Sequence, residues 1–127
     1  MERKTVSAQS AFADVVGYSR AVRAGNHVFV AGTAPIMADR SDPPLDPYGQ
    51  AERCLEIIVD ALKEVGAAPE HVVRTRIYLT DADDIHEVGR AHGEVFKDVR
   101  PVTSALVVKG LLDPRWLVEI EAEAVLP

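Results

Sequence analysis

At 127 residues and 47% hydrophobic, the chain is long enough for one domain with a real core. Twenty acidic side chains against fourteen basic ones give a net charge of -6, with no basic cluster to offset it. Nucleic-acid binding draws its affinity from Lys and Arg displacing counterions from phosphates, so that class is set aside. A membrane span is set aside too, because no apolar run approaches the roughly 20 residues it needs.

The N-terminal "MERKTVSAQS" is charged and then polar, without the apolar core of a secretory signal. Cys54 is alone, so no intrachain disulfide can form. The expectation is a soluble cytoplasmic protein. "KTVS" reads as a short first strand. "YSRAVRAGNHVFVAG" reads as a hairpin: Tyr18 to Arg23 alternates, Ala24-Gly25-Asn26 supplies the turn, and His27 to Ala31 is rich in β-formers. Gly32 ends that strand, and "MADRSDPPLDP" follows as a loop of about a dozen residues, long enough to suspect a role.

Asp46-Pro47 opens a helix, with Asp as N-cap and Pro in the first turn. Ala51, Leu55, Ile58, Leu62 and Val65 form one apolar stripe, and Gly66 supplies a left-handed exit. Cys54 flanks the stripe and reads as a small buried hydrophobe; a reactive thiol would need a cationic setting that its neighbours do not guarantee. "VVRTRIYLTD" then alternates, with Val73, Thr75, Ile77 and Leu79 on one face and Val72, Arg74, Arg76 and Tyr78 on the other.

A second helix is predicted over Ala82 to Lys97, capped by Asp81 or Asp83, with Ile85, Val88, His92 and Val95 as its stripe. Strands over Val102 to Val108 and Trp116 to Val125 close the chain. In the last of these, Trp116, Val118, Ile120, Ala122 and Ala124 share one face, and Glu119, Glu121 and Glu123 share the other. The predicted order is β, β, β, α, β, α, β, β. Two one-striped helices cover only one face of a sheet. The second face mixes apolar groups with acids, which predicts that other subunits cover it.

The common catalytic signatures, Gly-x-Ser-x-Gly, the phosphate loop and His-Glu-x-x-His, do not occur. His86 and His92 stand six residues apart, roughly 240° around a helix, so they do not share a metal. Glu119 has two readings. In partly dry surroundings a mid-strand carboxylate trades protons near neutrality; on a solvated acidic strand face it does not. Three acids in a row repel, so at least one calls for a partner such as Arg74 or Arg76. His92 likewise reads either as a core-edge histidine or as a residue lining a cleft.

Taken in order, "YSRAVRAGNHVFVAGTAP", the helix ending at Gly66, "VVRTRIYLTD", "RPVTSALVV" and "DPRWLVEIEAEAV" resemble the Rid family of reactive-intermediate deaminases, also called L-PSP endoribonucleases. The resemblance runs from about Val16 to Val125. It implies an α+β fold like that of the small chorismate mutases: a mixed β-sheet with two helices on one face, assembled as a homotrimeric barrel with clefts between adjacent subunits. In such deaminases water attacks an imine formed from an enamine such as 2-aminoacrylate, releasing ammonia and a 2-keto acid. An arginine grips the substrate carboxylate, a glutamate orients the water, and a tyrosine and a glycine backbone complete the pocket.

Carried onto this chain, the tyrosine is Tyr18, the glycine Gly32 and the glutamate Glu119. The arginine position holds Thr103, the following pocket cysteine position holds Ala105, and an aromatic on the second helix corresponds to His92. "RPVTSALVV" therefore looks like the site strand with its carboxylate clamp removed. Threonine offers one neutral hydroxyl where guanidinium offers a charged planar fork, so efficient 2-aminoacrylate deamination is not expected. Arg20, one strand step from Tyr18, is the candidate for supplying the missing cation. The leading reading is an enzyme hydrolysing an imine, an enamine or a related small metabolite without a cofactor. The alternative is a non-catalytic trimer that binds a small metabolite or serves as a scaffold. Ribonuclease activity is disfavoured by the acidic charge.

Overall fold

The computed structural model describes residues 2–127. Its elements in chain order are β1 (Arg3–Val6), α1 (Ala13–Val16), β2 (Ala21–Ala24), β3 (His27–Thr33), α2 (Pro47–Glu64), β4 (Val72–Leu79), α3 (Ile85–Phe96), β5 (Val102–Val107) and β6 (Val118–Val125), with single 3-10 turns over Pro69–His71 and Ala82–Asp84. The six strands make one sheet in the order β1-β2-β3-β6-β4-β5. β4 and β5 run parallel, joined by the α3 crossover, and the other neighbours are antiparallel. No helix among the described residues is long and apolar enough to cross a membrane.

The expected order of main elements is observed, with one addition. The turn α1 is four residues long and closes on Gly17, whose φ of 83° is one that side chains rarely adopt. The strand expected from Tyr18 begins its ladder only at Ala21, although Arg20 still pairs through its backbone with Val6 and Ala31. The last strand starts at Val118 rather than Trp116, because residues 113–116 close a turn in which the Trp116 amide bonds the Asp113 carbonyl.

α2 is capped as its sequence predicts: the Asp46 carboxylate accepts from the Gly49 amide at 2.8 Å, Pro47 opens the first turn, and Gly66 exits at φ 83°. Its whole stripe, from Ala51 to Val65, is buried, and Cys54 lies within it. On α3 the buried positions are Val88, Ala91 and Phe96, so the expected stripe is rotated and Ile85, His92 and Val95 flank the core. Both helices pack on the face formed by Val118, Ile120, Ala122 and Ala124 of β6 with Thr75, Ile77 and Leu79 of β4. Val22, Phe29, Tyr78 and Leu106 lie on the other face among charged groups, and Phe29 and Leu106 are exposed in the single chain.

Two β-bulges set the fine geometry. Val72 pairs with Ala124 and Arg74 with Glu123, so Val73 is an extra residue in the ladder. The alternation therefore slips by one: Val72 is buried at 3% exposure and Val73 stands out at 46%, the reverse of the pattern expected for "VVRT". On β3, Val30 pairs with Ala122 and Thr33 with Ile120, so Ala31 and Gly32 together oppose the single residue Glu121.

The Met37–Pro47 loop is tied down rather than open. Buried Gln50 donates to the carbonyls of Pro44 (2.8 Å) and Arg115 (3.0 Å) and accepts from the Leu117 amide (2.7 Å). Arg115 reaches Asp42 at 2.7 Å. One side chain thus holds the loop, the β5–β6 connection and the start of β6 together. Gln50→Leu keeps the volume and removes three hydrogen bonds, and about 3 kcal/mol of stability is expected to go with them, read by urea denaturation.

Candidate functional site

The acidic face of β6 does not treat its three glutamates alike. Glu123 lies 3.7 Å from Arg74 and 3.7 Å from Arg76, and Glu121 lies 3.5 Å from Arg76 and takes a hydrogen bond from the Tyr78 hydroxyl. These pairs answer the mutual repulsion that the sequence pattern poses. Glu119 has neither an arginine nor a tyrosine hydroxyl as partner among the described residues. Its carboxylate instead lies over Gly32, where any added Cβ would overlap Oε2. Gly32 therefore serves close approach, and the β3 bulge is what brings its backbone there.

Arg20 staples that bulge. Its guanidinium donates to the Gly32 carbonyl at 3.1 Å and to Thr33 Oγ1 at 2.6 Å, while Thr33 Oγ1 donates to the Ala31 carbonyl at 2.7 Å. Tyr18 is half-buried two residues before Arg20, on the segment leaving Gly17. Partial burial pushes the Glu119 carboxyl above its ordinary value of 4.5; the Arg20 charge pulls it back, and Glu121 adds to the rise. Glu119 thus keeps its proton to higher pH in the folded chain than in the unfolded one.

Between those two pKa values the folded state binds more protons, so stability falls as pH rises through the window. Glu119→Gln removes the ionisation. The variant is expected to melt above wild type at pH 7, with the gap closing as the pH falls to the ordinary carboxyl range. Thermal melts at several pH values read this directly.

The other sequence-predicted residues gather elsewhere. Thr103 on β5 is in register with Thr75 on β4, and their hydroxyls are 2.7 Å apart. The same Thr75 hydroxyl lies 2.8 Å from His92 Nε2 on α3. Thr75 and His92 share the helix side of the sheet, so Thr103 and Ala105 lie there too, on an edge strand exposed along its whole length. Burial lowers the His92 pKa below 6.5, and its ring packs against Phe96 at a centroid distance of 4.7 Å.

A single chain therefore does not gather Arg20, Thr103, His92 and Glu119 into one pocket. Tyr78 pairs with Glu119 on one side and with Leu106 on the other. Thr103 lies two strand spacings and three residues away from Glu119, about 10 Å in each direction, and faces the opposite side of the sheet. A cavity of about 410 Å³ between α2 and α3, lined by Leu55, Val59, Glu94 and Val95 among others, contains none of these residues.

Sequence reasoning passed over Thr75, Thr33 and Tyr78. Thr75 had a usable signal: it sits on the apolar face of β4, and His92 sits on the apolar side of α3. Buried polar groups on facing surfaces are nearly always each other's partners.

The family model described as Endoribonuclease L-PSP matches residues 8–126. An uncharacterized protein of Streptomyces coelicolor is 43% identical over 121 residues, spanning 95% of this chain and 90% of its own. The 2-iminobutanoate/2-iminopropanoate deaminase of Mus musculus is 32% identical over 127 residues, covering 97% of this chain and 91% of its own. Among solved structures, a Mycobacterium tuberculosis member of the YjgF/YER057c/UK114 family superposes with a TM-score of 0.90 at 45% identity, covering 98% of this chain and 100% of that one. Sequence and fold agree over almost the entire length, and the chain belongs to the YjgF/Rid family that carries the L-PSP description.

Proposed function

We propose that this protein is a homotrimer that hydrolyses a small imine or enamine in clefts shared between subunits. Each cleft takes Glu119, Gly32, Tyr18 and Arg20 from one subunit and Thr103, Ala105 and His92 from the next. The observation that carries the reading is Glu119 itself, the acid of the β6 row that makes no ion pair among the described residues, over a glycine backbone that admits close approach. The uncovered sheet face with Phe29 and Leu106, and the exposed β5 edge, support the assembly. The mouse relative's imine deaminase name supports the reaction class.

In this scheme the water oxygen bonds to the imine carbon as the C=N π pair moves to nitrogen. Glu119 takes a proton from the water and delivers it to that nitrogen; the second proton follows as the C–N bond breaks, giving ammonia and a carbonyl compound. Arg20 supplies positive charge beside Glu119, with one amino group already committed to Gly32 and Thr33.

The test is ammonia release from a panel of imines generated in situ by an amino-acid oxidase. Glu119→Gln is expected to cut the rate on the best substrate by about a hundredfold or more. Equal rates for the two proteins would overturn the reading. Inactivity across the whole panel with retained binding of its members would turn it toward a binding trimer, which the missing carboxylate arginine keeps in view.

A further inference from the structure

Thr75 carries one hydroxyl proton and makes two hydrogen-bond contacts, with His92 Nε2 at 2.8 Å and Thr103 Oγ1 at 2.7 Å. It can therefore donate at most one of those bonds and must accept at least one. The consequence reaches the surface. If Nε2 is bare, Thr75 donates to it and receives the Thr103 proton, which leaves the Thr103 lone pairs facing outward. If Nε2 carries the ring proton, the direction reverses. The Thr103 proton is then free to point away, with the Pro101 carbonyl at 3.3 Å as its competing acceptor. Because burial keeps His92 below its ordinary pKa, the choice at neutral pH is between two tautomers of an uncharged ring.

The adjacent strand gives Thr103 no cation that would favour an anion. Arg74 and Arg76, the arginines of the adjacent strand, lie on the opposite face and pair with Glu121 and Glu123. Thr75 is completely buried, so its hydroxyl has no water to turn to, and the Phe96 ring packs on His92. Both ends of the wire are therefore held, and only its direction is free.

We propose that Thr75 and His92 position the Thr103 hydroxyl as a neutral group able either to give or to take a hydrogen bond, so that this half of the cleft selects an uncharged polar group of the substrate, such as an amide, ketone or hydroxyl, over a carboxylate. The proposal rests on the shared-cleft reading and adds the substrate class to it. Thr103 is the binding group; Thr75 and His92 act through it.

The experiment compares pyruvate with pyruvamide, a pair of similar size that differ in charge, by calorimetric titration of the intact protein. Pyruvamide is expected to bind about tenfold more tightly. Thr75→Val, which keeps the shape and deletes the hydroxyl, is expected to weaken pyruvamide about fivefold and leave pyruvate unchanged, as is Thr103→Val; Thr75→Ser should restore wild-type affinity. Without any ligand, the His92 Nε2 nitrogen resonance should move in Thr75→Val and hold in Thr75→Ser. Thr103 lies on an exposed strand, so Thr103→Val carries the comparison even if Thr75→Val fails to fold.

Equal or tighter binding of pyruvate, or identical behaviour of the valine and serine variants, would overturn the proposal. If Glu119-dependent imine hydrolysis persists in that case, the shared-cleft reading stands without it. If neither compound binds and Glu119→Gln loses no activity, both are overturned.

Discussion

Thr103→Arg is expected to raise ammonia release from 2-iminopropanoate by about a hundredfold over wild type. In the proposed cleft the wild-type position would offer a substrate carboxylate one neutral hydroxyl, already shared with Thr75. A guanidinium offers two parallel charge-assisted donors, each worth roughly 1.5–3 kcal/mol to a partly buried carboxylate. The edge strand gives the longer side chain room, since β5 is exposed along its length. The gain should fall mostly on kcat/KM, because the clamp fixes the imine carbon at a set distance from Glu119. Thr103→Lys is the control: it carries the charge without the planar fork, so it should recover only part of the effect. A Thr103→Arg protein no faster than wild type would mean that Thr103 does not face the substrate.

Much of the fold was legible because its determinants are local. The Asp46-Pro47 cap, the stripe from Ala51 to Val65 and the exit at Gly66 define α2 without help from the rest of the chain, and all are observed. The alternation of β6 likewise put Val118, Ile120, Ala122 and Ala124 in the core. What sequence could not supply were the pairings between distant strands. The bulge at Val73 depends on how β4 meets β6, and nothing in "VVRTRIYLTD" marks where the alternation slips. The bulge at Ala31–Gly32 depends on an arginine eleven or more residues earlier folding back onto Gly32 and Thr33.

The site was legible as a set of residues and illegible as a shape. Glu119 and Gly32 meet as the resemblance implies, because β3 and β6 are neighbours in the sheet. Thr103 was expected in a cleft shared between subunits, and within one chain strand parity places it on the helix side with Thr75 and His92. Arg20, read as a spare cation, turns out to hold the backbone that Glu119 lies against. It therefore has a structural duty whatever its role toward a substrate.

The separation of the two groups leads to the last expected result. Glu119 and Thr103 lie on opposite faces of one sheet, so a chain cannot bring its own pair to one substrate, whereas a closed ring of subunits can pair each glutamate with a neighbour's threonine. Take one subunit that is wild type at both positions and a second that carries Thr103→Arg together with Glu119→Gln. The first assembly has the glutamate but no carboxylate clamp, and the second has the clamp but no glutamate, so each alone should release little ammonia from 2-iminopropanoate. Unfolded together and refolded at equal amounts, they should form rings in which about one cleft in four joins an intact glutamate to an introduced guanidinium. Activity should then rise to about a quarter of that of the Thr103→Arg assembly. Structural damage by either substitution cannot produce such a gain, because mixing repairs nothing within a chain. A mixture no more active than the average of its two components would place the whole reaction within single subunits, and the two residue groups would then have to be explained separately.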